Sequence, residues 1–69
     1  MPREYIEFDD TLVDRNGDLR LDVLNRLIDK QASGWEIWCS TKRRGDELQI
    51  ALSACHEHGM DFDGVDLYE

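Results

Sequence analysis

The strongest constraint in this sequence is the order of its hydrophobic periods. Runs with strand character alternate with two stretches of helical period, and that order restricts the ways one small core can be built. Arg3 to Phe8 alternates polar and apolar residues and is rich in aromatic and β-branched types, the signature of a strand. Asp9-Asp10-Thr11 ends it, and Asn16-Gly17 within Asp14 to Asp18 predicts a small hairpin or a loop built on that turn. Leu21, Leu24, Leu27 and Ile28 fall at the spacings of an amphipathic helix over about Leu21 to Ala32, stopped by Gly34. Trp35 to Ser40 reads as a second strand, whose near-continuous apolar character predicts burial on both faces. Asp46 to His58 carries Leu48, Ala51, Leu52 and Cys55 on one helical face, with acidic residues opening it and Gly59 closing it. Gly64 to Leu67 completes the series as a short third strand.

Strands that alternate with helices imply βαβ crossovers and a parallel sheet. The expected class is α/β: a minimal Rossmann-like three-layer unit with about three parallel strands, two helices and a small hairpin after the first strand. Residues 1–69 suffice for one domain and one small core. Such a core supplies only a few kcal/mol, so a partner, a metal or a second copy would help it.

Charge narrows the function classes. Sixteen Asp and Glu against eight Lys and Arg leave a formal net charge of −8. Nucleic acid and anionic membrane surfaces repel such a chain. No apolar run approaches the roughly 20 residues of a membrane span, and the Met-Pro-Arg-Glu start lacks a secretory h-region. Cys39 and Cys55 do not make a disulfide scaffold and read as reduced core thiols, so a cytoplasmic location is expected. Cys55-His56-Glu57-His58 has no second pair at zinc spacing, and a helix end suits it better than a metal site. Trp35 and Trp38, three apart in a strand, face opposite sides as core or interface anchors.

In an open α/β sheet, sites form outside the carboxyl ends of the strands. Those ends are Glu7-Phe8-Asp9-Asp10-Thr11 and Ser40-Thr41-Lys42-Arg43, one acidic and one hydroxylic and basic. Such a pairing suits phosphoryl chemistry. One carboxylate attacks phosphorus, and a second handles the leaving-group proton. A hydroxyl and a cation hold phosphoryl oxygens, while Mg²⁺ neutralises charge between carboxylate and phosphate. Two residues apart in a strand, Glu7 and Asp9 would point to the same side. The plainer readings are a polar strand end for Glu7 and Asp9, helix capping for Ser40 or Thr41, and a solvated basic loop for Lys42-Arg43-Arg44.

The residues also carry a family resemblance. Ile6-Glu7-Phe8-Asp9-Asp10-Thr11-Leu12-Val13 resembles the first motif of the haloacid dehalogenase (HAD) superfamily of phosphohydrolases, an apolar strand followed by Asp-x-Asp-x-Thr-Leu/Val. Gly34 to Arg43 is similar to its second motif strand, which ends in Ser/Thr and is often followed by a basic residue. His58 to Val65 is similar to the His-Gly-Ile-x-Phe-Asp passage of family members. The resemblance implies Glu7 as nucleophile, Asp9 as general acid/base, and Thr11 as the motif threonine. It also implies Ser40, or Thr41, on a phosphoryl oxygen, with Lys42 or Arg43 adding positive charge and Mg²⁺ held by Glu7 and Asp9.

The chain departs from the family in two ways. Glu replaces Asp at position 7, and its extra methylene displaces the attacking oxygen by about 1 Å, a misplacement that can cost about 10²-fold. The family's third-motif Lys and fourth-motif acidic pair are not found before Glu69, and Asp61, Asp63 and Asp66 sit at the wrong point of the pattern. An alternative register makes Asp9 the nucleophile but matches Leu12-Val13 less well. The sequence therefore supports a HAD-like domain that has lost phosphatase activity and acts as a small acidic binding or inhibitor protein. Inhibitors that imitate nucleic acid by presenting carboxylates to a basic cleft offer an analogy of class alone. The alternative is a minimal Mg²⁺-dependent phosphohydrolase acting on a small phosphorylated substrate. The partners expected are a basic protein, or a second copy paired through a sheet edge.

Overall fold

The computed structural model describes residues 2–68. The strands are β1 (Arg3–Glu7), β2 (Glu36–Thr41) and β3 (Gly64–Leu67), and the helices are α1 (Leu21–Ala32) and α2 (Gly45–Glu57). All strand pairs are parallel, and the spatial order is β1-β2-β3, the order of the chain. This is the α/β unit expected from the alternating periods. Val13 and Leu19 form an antiparallel bridge around the Asn16-Gly17 turn. Gly17 takes a positive φ of 85° there, and one Asp14 carboxylate oxygen accepts the Asn16 and Asp18 N–H groups.

The layers differ from expectation. A sheet in chain order, crossed twice with the same hand, carries both helices on one face. Val23, Leu24 and Leu27 of α1 and Ala51 and Cys55 of α2 accordingly join a single buried cluster with Ile37 and Cys39 of β2. Among the described residues no helix covers the other face, so the unit has two layers rather than three. For the same reason β2 is not buried on both sides. It alternates half-buried Glu36, Trp38 and Ser40 with buried Ile37, Cys39 and Thr41.

The second difference lies just after β1. The strand stops at Glu7, and Phe8–Leu12 form a single turn of π-helix. The Val13 N–H donates to the Phe8 carbonyl five residues back, at 3.2 Å. Phe8 is 3% exposed and Leu12 0%, so both ends of the turn are anchored in the core. The helices end as expected. The Gly59 N–H donates to the His56 carbonyl and the Met60 N–H to that of Cys55, with Gly59 at φ 89°. Trp35 packs against the core while Trp38 stands on the open face, so the two tryptophans do lie on opposite sides. Among the described residues, no helix is long and apolar enough to cross a membrane.

Candidate functional site

The carboxyl ends of β1 and β2 do lie side by side. Glu7 and Ser40 are register partners on adjacent strands, and Ser40 is in turn the partner of Asp66 on β3. These three residues form a row across the open face, beneath the loop that leads into α2. Asp9 lies at the same end of the sheet but past the strand, in the π turn, so strand alternation does not set its direction relative to Glu7. The expected acid/base pairing along a strand is therefore replaced by two separately held carboxylates.

Each carboxylate has its own partner. Arg43 grips Asp9 Oδ1 with Nε at 3.1 Å and Nη2 at 2.8 Å. The guanidinium also stacks over the Phe8 ring, 4.9 Å from its centroid. The Asp9 carboxylate keeps the Arg43 guanidinium protonated beyond its already high ordinary range. Glu7 Oε1 accepts the Tyr68 hydroxyl at 3.2 Å. Partial burial, and then this bond to Glu7, push the Tyr68 hydroxyl pKa up.

The hydroxyls divide in the same way. Ser40 is half-buried on the open face, beside Glu7. Thr41 is 1% exposed on the helix side, and its Oγ1 accepts the Arg43 N–H at 3.0 Å. That bond shapes the loop before α2, but it is not a helix cap: Arg44 occupies the cap position, with no side-chain cap bond. Thr11 points to a different place. It lines a cavity of about 460 Å³ between β1 and α1, together with Ile6, Val23 and Leu27. The motif threonine and the carboxylates thus face separate environments.

The basic loop is largely engaged with its own protein. The Arg44 guanidinium donates to the carbonyls of Lys42, Arg43 and Tyr68, at 3.0, 3.2 and 3.0 Å. Lys42 lies 5.9 Å from the Tyr68 ring centroid. Mg²⁺ keeps several waters and is held by only one or two carboxylates. Here one Asp9 oxygen already carries two guanidinium contacts, so Asp9 would have to release Arg43 to join Glu7 around an ion. In the Cys55–His58 stretch, Cys55 is wholly buried and His56 pairs with Asp61 at 2.5 Å.

Sequence reasoning missed two features. The first is Tyr68, whose hydroxyl ties the end of β3 to Glu7 across the sheet. The second is the open face itself, where Arg3, Tyr5, Glu36 and Trp38 make a connected cluster. The period-two alternation Arg3-Tyr5-Glu7 and Glu36-Trp38-Ser40 was the available signal. Assuming that β2 was buried on both faces concealed it. No protein-family profile, curated protein or solved structure matches this chain.

Proposed function

We propose that this chain is a non-catalytic, HAD-like binding domain whose partner is a basic protein. One observation carries the reading: the principal groups that phosphoryl transfer would need are already engaged by other groups of the chain. Asp9 is held by Arg43, Glu7 by Tyr68, and Arg44 by loop carbonyls. A net charge of −8 and a sheet face bearing Glu7, Glu36 and Asp66 supply the attraction for a cationic surface. A cytoplasmic location belongs to the same proposal and is supported by two free, buried thiols.

The test has two arms. Hydrolysis of p-nitrophenyl phosphate with Mg²⁺ is expected to be absent at high protein concentration. Titration with an arginine-rich peptide is expected to show saturable binding that weakens as salt rises, because the attraction is screened over about 8–10 Å near physiological ionic strength. Mg²⁺-dependent turnover that disappears in Asp9→Asn would overturn the reading, as would an absence of binding even at low salt.

The second reading is the Mg²⁺-dependent phosphohydrolase acting on a small phosphorylated substrate. It is favoured by Glu7, Asp9, Ser40 and Arg43 all lying at one end of the sheet. Glu7 and Asp9 would hold the ion, which would supply charge neutralisation. Asp9 would first have to release Arg43, so this reading also requires activity to vanish on chelation with EDTA and return with Mg²⁺.

A further inference from the structure

The open face of the sheet holds an assembled site for a cation, and the protein's own arginine sits in it. Its floor is Trp38. The indole lies against Gly64, its register partner on β3, so closely that a Cβ there would meet ring carbons at 2.5 Å. Only glycine lets the ring lie so flat on the sheet. The indole N–H donates to Glu36 Oε1 at 3.1 Å and fixes that carboxylate beside the ring. Tyr5, on the neighbouring strand, sets its ring 6.0 Å from that of Trp38 at an angle of 49°. An aromatic floor, a fixed carboxylate and a phenol hydroxyl are the parts of a guanidinium site.

Arg3 fills it. The guanidinium carbon is 4.3 Å from the Trp38 ring centroid. Nε donates to Glu36 Oε1 at 2.9 Å, and Nη1 to the Tyr5 hydroxyl at 3.2 Å. The Trp38 N–H, and then the Arg3 guanidinium, hold the Glu36 carboxyl below its ordinary range. Yet Arg3 is loosely kept: its side chain is 43% exposed. Exposed ion pairs of this kind contribute little, so an incoming guanidinium displaces Arg3 at small cost.

We infer that the Trp38–Glu36–Tyr5 cluster is the docking point for an arginine side chain of the basic partner, with Arg3 as the resident it displaces. The inference rests on the binding-domain reading and gives it a residue-level address. Charge selects the occupant: Glu7, Glu36 and Asp66 share this face of a chain with net charge −8, so a cationic segment gains where an anionic one is repelled. Guanidinium is favoured over ammonium because it is planar, less strongly hydrated, and able to stack while it donates sideways.

The test follows the Trp38 indole N–H by NMR, its signal assigned as the one lost in Trp38→Phe. Arg3→Ala, with Arg3→Gln as a second variant that keeps part of the stem, is titrated with Nα-acetyl-arginine amide and with Nα-acetyl-lysine amide. A saturable shift is expected with the arginine amide, about tenfold tighter than with the lysine amide, and about threefold tighter than in the unaltered chain, where Arg3 competes. Adding Glu36→Gln is expected to weaken it by about tenfold. No saturable shift in either Arg3 variant, equal response to both amides, or equal affinity with and without Arg3 would overturn the site. Should arginine-rich peptide bind all variants alike, this site fails while the binding-domain reading stands. Should the amide bind while the peptide does not, the site stands and that reading fails.

Discussion

Gly64 shows how much one residue settles here. The Trp38 ring occupies the space that any side chain at 64 would need. Gly64→Ala is expected to destabilise the fold by about 1–3 kcal/mol, as other overpacked sites do. It should also alter the near-ultraviolet circular dichroism of Trp38; an unchanged melting temperature and spectrum would show that the ring does not rest there. Asp9→Asn removes a pair that is 30% and 45% exposed, so a change of only about 0.2–1 kcal/mol is expected from thermal melting. A larger loss would give the Asp9–Arg43 contact a structural weight that its exposure does not suggest. Asp63 is another case. Its carboxylate accepts the Ile37 N–H at 2.7 Å and Gln31 Nε2 at 3.1 Å, and these bonds lower its pKa from the ordinary 3.8. A lowered folded pKa means stability that is present above pH 3.8 and lost as pH falls through the folded value. Glu36, lowered from 4.5, acts in the same direction. His56, raised from 6.5 by Asp61, acts oppositely, contributing below pH 6.5 and fading as pH rises through its folded value. Asp63→Asn should therefore flatten the acid limb of a melting-temperature profile and leave the region near pH 7 to His56. An unchanged acid limb would remove this role. The pairs Gly64–Trp38 and Asp63–Ile37 were not legible in the sequence, because they meet only after the crossover through α2.

At the scale of elements, the sequence was far more explicit. The helix over Leu21 to Ala32 and the strand over Gly64 to Leu67 occur as their periods imply. Local periodicity is a property of adjacent residues, and burial of one stripe is enough to enforce it. The passage after β1 was not legible in that way. Phe8-Asp9-Asp10-Thr11-Leu12 has the composition of a strand end, yet it closes a π turn with Phe8 and Leu12 both in the core. Leu12→Ala should thus cost about 2–5 kcal/mol, the range for buried leucines, and also disturb Asp9. Urea denaturation measures the first effect, and the Arg43 Nε–H chemical shift reports the second. A loss confined to stability, with Arg43 unmoved, would separate the turn from the candidate site.

At the scale of the molecule, a three-strand sheet with both helices on one face leaves a bare face and an outer β1 edge. Unpaired edges invite added strands. Pairing of a second copy through that edge is part of the proposed partner set, and light scattering across concentration is expected to show a mass rising toward the dimer. A constant monomer mass at high concentration would remove it and leave the bare face to the basic partner alone. The order of elements, the α/β class and the acidic balance were already determined by the sequence, since each follows from neighbouring residues or from counting charges. Only the tertiary structure decided that both helices share one face, that Asp9 leaves the strand, and which charges are spent internally. Those outcomes depend on groups far apart in the chain: 34 residues separate Asp9 from Arg43, and 61 separate Glu7 from Tyr68. Pairings over such distances arise when a single core closes, and no local pattern records them.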